Sequence, residues 1–150
     1  MVYGARLESE CVLTGTGGSN PPVSSRTIVG VTVCQVYYEA KKRALENGGN
    51  FHLAAYANTG EIGTNGNRKT AKFRRRYSKC GYFCYEVHAE VDLIIRCRQV
   101  PQKINVMRFT NSGDRTMAKP CVHCQNFLRH VGVKRVRFTN WEGRWEEMKL

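Results

Sequence analysis

Residues 120–139 read Pro120-Cys121-Val122-His123-Cys124-Gln125-Asn126-Phe127-Leu128-Arg129-His130-Val131-Gly132-Val133-Lys134-Arg135-Val136-Arg137-Phe138-Thr139. Cys124, Phe127, Leu128 and Val131 share one helical face, and Gly132 ends the run. Pro120 suits the first turn of that helix, where its missing N–H would have no partner anyway. Val133 to Thr139 then predicts a strand. Asn140 to Arg144 turns sharply, leaving Trp145 to Leu150 as a short final strand or tail. A parallel return needs a crossover of about a dozen residues, so the last two strands are expected to form an antiparallel hairpin.

The same reading extends towards the N-terminus. Ile104 to Thr110 predicts a strand, with Asn111-Ser112-Gly113-Asp114 as the turn after it. A helix is expected to begin near Glu86, burying Val87, Val91, Ile94 and Ile95, with Arg96 and Arg98 at its basic end. Phe51 to Ala57 and the glycine-rich Glu61 to Arg68 predict two strands joined at Asn58-Thr59-Gly60. From about Thr32 to Asn47, Val33, Val36, Tyr37, Ala40 and Ala44 follow helical spacing up to Gly48-Gly49. Helix, two strands, then alternating helix and strand predict a three-layer α/β fold. Residues 15–25 are too rich in Gly, Ser and Pro for a helix or interior strand. The expected organisation is a partly flexible arm over 1–30 and one domain over 31–150.

At 150 residues the chain is long enough for one domain with a real core. Seven cysteines at irregular spacing argue against a disulfide framework and fit a reducing compartment. The N-terminus carries no apolar stretch of a secretory signal, and no run approaches the roughly 20 apolar residues of a membrane span. The expectation is an intracellular, cytoplasmic protein (in a host cell if viral), neither secreted nor membrane-bound. A net charge of +12 points to an anionic partner, either nucleic acid or free nucleotide.

Two motifs carry chemistry: His88-Ala89-Glu90 and Pro120-Cys121-Val122-His123-Cys124. One imidazole and two thiolates are three soft donors, the number a catalytic zinc takes from protein so that one position stays open. Cys121 and Cys124, at i and i+3, share a helix face near its N-terminus, where the helix dipole favours thiolates. Glu90 stands two residues from a ligand, placed to move protons. A structural zinc would need a fourth protein ligand. His123 is the nearest, but it should point around the helix. Cys80 and Cys84 can also be read as a second metal pair, although without further donors nearby they read better as ordinary thiols.

H-x-E followed by P-C-x-x-C resembles the cytidine deaminase-like superfamily, whose signature this is. The likeness spans about residues 51–150 and is greatest to small stand-alone deaminases of large DNA viruses and phages, with similarity to dCMP deaminases and tRNA adenosine deaminases. It implies a three-layer α/β/α fold with a mixed five-stranded sheet. It implies one Zn²⁺ per chain held by His88, Cys121 and Cys124, with Glu90 as the catalytic proton shuttle. It places Asn67 and Ala89 at the substrate. Where relatives often carry Ser or Thr two residues before the proline, this chain has Ala118. The terminal hairpin departs from polynucleotide editors and dCMP deaminases, and is similar to free-nucleoside deaminases and some toxin deaminases acting on DNA.

Arg68, Lys69, Lys72, Arg74, Arg75, Arg76 and Lys79 form a run of cations with no acid between Ile62 and Tyr85, interleaved with aromatics. That pattern suits single-stranded nucleic acid, with phosphates on the cations and bases on the rings. By the resemblance, Arg68, Lys69, Arg74, Arg75 and Arg76 border the mouth of the site. The expected activity is conversion of cytosine to uracil in single-stranded or duplex DNA or RNA. The alternatives are deamination of free cytidine, deoxycytidine, CMP or dCMP; adenine deamination on RNA; and a zinc-fold nucleic-acid-binding protein without turnover. Relatives of the hairpin type are often homo-oligomers.

Overall fold

A computed structural model describes residues 27–28, 31–47, 51–65, 75, 77–84 and 86–150. It opens with a two-stranded ladder, β1 (Thr27–Ile28) against β2 (Val31–Thr32), which straddles the expected boundary between arm and domain. Helix α1 (Val33–Glu46) follows directly. Its start is set by a capping box: the Thr32 hydroxyl accepts from the Gln35 N–H at 3.2 Å, and Gln35 Oε1 accepts from the Thr32 N–H at 2.7 Å.

The main sheet is built from β3 (His52–Tyr56), β4 (Ile62–Thr64), β5 (Lys103–Phe109), β7 (Arg135–Thr139) and β8 (Trp145–Lys149), ordered β4-β3-β5-β7-β8. A two-residue strand, β6 (Arg115–Thr116), pairs with the end of β5. Only β5 and β7 run parallel; every other pairing is antiparallel. The sheet is therefore mixed, and β7 and β8 form the expected hairpin, from Arg135↔Lys149 to Thr139↔Trp145.

Side-chain alternation along the strands divides the core in two. Ala55, Ala57, Ile104, Val106, Val136 and Phe138 point to one face, under α2 (Ala89–Arg96) and α3 (Val122–Val131). Ala54, Tyr56, Met107 and Phe109 point to the other, where α1 lays down Val36, Tyr37, Ala40 and Ala44. Helices thus cover both faces.

Three expectations shift. The helix expected from Glu86 starts at Ala89, because His88 stays extended (φ −72°, ψ 160°). Its backbone N–H is taken by the Tyr82 hydroxyl at 3.1 Å rather than by a helical turn. Ile95 is exposed rather than part of the buried stripe. Pro120 lies outside the next helix, since Cys121 occupies the N-cap with extended geometry and the Pro120 carbonyl accepts from the Gln125 side chain. Among the described residues no helix is long and apolar enough to cross a membrane.

Candidate metal centre

Helices α2 and α3 both start at the end of the sheet where the parallel strands β5 and β7 finish. The segment entering α3 is tied there by the Ala118 N–H, which donates to the Thr139 carbonyl at 2.8 Å. Open α/β sheets place their ligands beyond the carboxyl ends of such strands. Helix α2 is held against the sheet edge by close backbone approach. A Cβ added at Gly63 would stand 2.2 Å from the Leu93 nitrogen and 2.3 Å from the Ala89 oxygen, so only glycine fits. Asp92, buried on α2, accepts from the Thr64 N–H at 3.1 Å and from Arg96 Nε at 2.9 Å, fastening the helix to β4.

These constraints bring the two motifs together. His88 Nδ1 lies 3.3 Å from Cys124 Sγ and 3.6 Å from Cys121 Sγ. The donor atoms form two overlapping groups that share His88, each with all members within 4.8 Å of one another. Cys124 and Glu90 make up the deep group, Glu90 being 4% exposed and Cys124 fully buried. Cys84 and the exposed Cys121 make up the outer one. Such a cluster can hold a metal ion.

Cys84 is the residue that sequence reasoning missed. Read from the sequence with Cys80 as an ordinary thiol, it stands beside His88 and Cys121 in a group that could hold a metal ion. Its loop is placed by three features. Gly81 adopts a left-handed turn (φ 78°). The His123 ring hydrogen-bonds the Gly81 carbonyl at 3.3 Å, which occupies His123 away from the donor cluster. The fully buried Tyr82 accepts from the His88 N–H, donates to the Glu86 carbonyl, and packs edge-on to the His88 and Phe127 rings. The spacing Cys84-x-x-x-His88 was the available signal.

Electrostatics couple these groups. A hydrogen bond from the Cys124 thiol, aided by the His88 ring and the Cys124 amide, holds the Cys121 thiol far below its usual range, at about 3. The Cys124 thiol rises well above its ordinary value because it gives that hydrogen bond and is buried. His88 is raised, chiefly by its hydrogen bond to Cys121. Burial raises Glu90, and burial with the neighbouring Cys121 lifts Cys84 to about 11. Without a metal the donors therefore share protons.

Comparisons with protein-family models, curated proteins and solved structures returned no match. The chemistry of the donor set is thus the test of fit. Glu90 is a buried carboxylate with no Lys or Arg ion pair among the described residues. Such a group is costly unless a cation stands near it. Two to three thiols and an imidazole beside it are soft and borderline donors of the kind zinc selects, and a cation would replace the shared protons. The residues fit a zinc ion.

The substrate candidates fare differently. Ala89 is fully buried in the core beneath α2, with its carbonyl against Gly63. Arg75 is exposed, as is Lys79 within the 3-10 turn Ser78–Cys80. Asn67, Arg68, Lys69, Lys72, Arg74 and Arg76 lie outside the described residues.

Proposed function

We propose that this chain is a zinc-dependent hydrolytic deaminase of the cytidine deaminase-like type, converting cytosine to uracil in nucleic acid. The observation that carries the reading is Glu90: a buried carboxylate in the same donor group as His88 and Cys124. A purely structural zinc has no use for a buried acid at its edge, whereas hydrolysis needs a proton carrier there. The three layers and the mixed sheet are the arrangement the family resemblance implies.

His88, Cys121 and Cys124 would hold the zinc. When bound, it supplies a Lewis acid that makes water nucleophilic at neutral pH. Glu90 takes one proton from the water adding to the amine-bearing carbon and delivers it to the ring nitrogen. It then passes the second proton to the exocyclic nitrogen, which leaves as ammonia. Burial raises the Glu90 carboxyl above its ordinary value, towards the range in which one group can both take up and release a proton. Tyr82 positions His88 by holding its backbone extended.

A polymer substrate is supported by the +12 charge and by the cation run, of which Arg75 and Lys79 are exposed. The observed hairpin favours a second reading, deamination of free cytidine, deoxycytidine or their monophosphates. One mass-spectrometric panel decides between them, with zinc-loaded protein against the four monomers and against single-stranded DNA, duplex DNA and RNA. Conversion confined to polymers supports the first reading and conversion confined to monomers the second. No conversion by protein carrying one zinc per chain overturns both.

A further inference from the structure

The outer half of the donor cluster contains more than a catalytic zinc requires. Cys84, His88 and Cys121 by themselves satisfy the mutual 4.8 Å spacing of a metal-binding group, and Cys124 Sγ and Cys121 Sγ lie 3.3 Å and 3.6 Å from one His88 nitrogen, Nδ1. Together they are three thiols and one imidazole, the Cys₃His set of closed structural zinc sites. Cys84 is also on the accessible side. It is half-buried and grouped with exposed Cys121, whereas Glu90 and Cys124 lie beneath. A molecule arriving from solvent therefore meets Cys84 before it meets Glu90.

From this placement we infer that Cys84 is a fourth protein ligand of the centre, so that its resting form is a closed Cys₃His site that substrate entry must open. The inference rests on the zinc reading above. The loop bearing Cys84 is built for such a role. Its base is anchored by the Tyr82 hydroxyl and by the Gly81 carbonyl on His123, while the next residue, Phe83, is 64% exposed. Tyr82 anchors His88 as well, through the His88 N–H. Closure would shield the metal from stray nucleophiles between turnovers.

The test reads ligation rather than turnover. Full-length protein and its Cys84→Ser variant are loaded with cobalt(II) and, separately, with zinc. The expected wild-type cobalt spectrum is tetrahedral with thiolate-to-metal charge transfer from three sulfurs. Cys84→Ser should still bind one metal per chain but lose about one third of that absorption per cobalt, as expected when one of three sulfurs is removed from a tetrahedral site. X-ray absorption at the zinc edge should show the sulfur shell, at about 2.3 Å, fall from three neighbours to two. Cys80→Ser, altered in the same region but outside the cluster, should match wild type. Identical sulfur counts in wild type and Cys84→Ser would overturn the inference while leaving the zinc reading intact. Failure of wild type to bind either metal would overturn both. Should Cys84→Ser fail to fold, the wild-type sulfur count decides by itself: three supports the inference, two overturns it.

Discussion

At the scale of single residues, the centre consists of ordinary side chains made unusual by where they are buried. Glu90 carries the proposed chemistry, so Glu90→Gln should lower turnover by about 10²–10⁴-fold, the usual range for losing a general acid–base. Metal content, measured by elemental mass spectrometry, should stay at one zinc per chain. Tyr82→Phe removes a hydroxyl that accepts from the His88 N–H and donates to the Glu86 carbonyl. Leaving those groups unsatisfied should cost about 1–3 kcal/mol, read as a lower midpoint in urea denaturation. His88, Glu90, Cys121 and Cys124 were legible because their chemistry is rare and their order distinctive. Cys84 and Tyr82 were not, because they lie on a loop with no periodicity. What places them is a left-handed glycine, a histidine on another helix and a buried hydroxyl. None of these is visible until the chain has folded.

Elements show how the positions are enforced. Helix α2 has only eight residues, too few to be stable by itself, so its register depends on what it touches. Gly63 is one of those contacts, with no room for a Cβ. Gly63→Ala must push α2 off β4, with a cost expected above about 2 kcal/mol from overpacking. It should also weaken zinc binding, because His88 and Glu90 move with the helix, and a competitive chelator titration would measure this. Thr32→Ala offers the contrast. It removes a capping box on the opposite face and should cost about 1 kcal/mol in thermal unfolding while leaving zinc affinity unchanged. Long periodic elements were readable almost to the residue: α1, β3, β5, β7 and β8 all fall within a residue or two of expectation. The starts of α2 and α3 were less so. His88 and Cys121 sit at helix starts but keep extended backbones, since each faces the donor cluster instead of completing a turn. The two-residue strands β1, β2 and β6 are too short to leave a pattern.

For the whole molecule, the alternation of side chains through one sheet makes two cores, of which only one supports the metal centre. Zinc held by the native state and not by the unfolded chain should add about 4 kcal/mol of stability at a free concentration a thousand times its dissociation constant. Equilibrium denaturation with and without chelator would show the difference. If nucleic acid is the partner, log K should fall with log salt by about 0.7 per phosphate neutralised on single strands, whereas a mononucleotide should respond weakly. The net charge of +12 motivates the expectation of an anionic partner, but charge alone does not distinguish a polymer from a nucleotide. The route by which the donors meet has a kinetic consequence. Cys84 and His88 precede β5, and Cys121 and Cys124 follow it, so the set closes only once segments on both sides of β5 have come together. An ion bound only by the completed set would arrive once those segments have docked on the sheet. It should leave the refolding rate nearly untouched and lengthen the lifetime of the native state, acting as a latch on a finished fold rather than a seed for it.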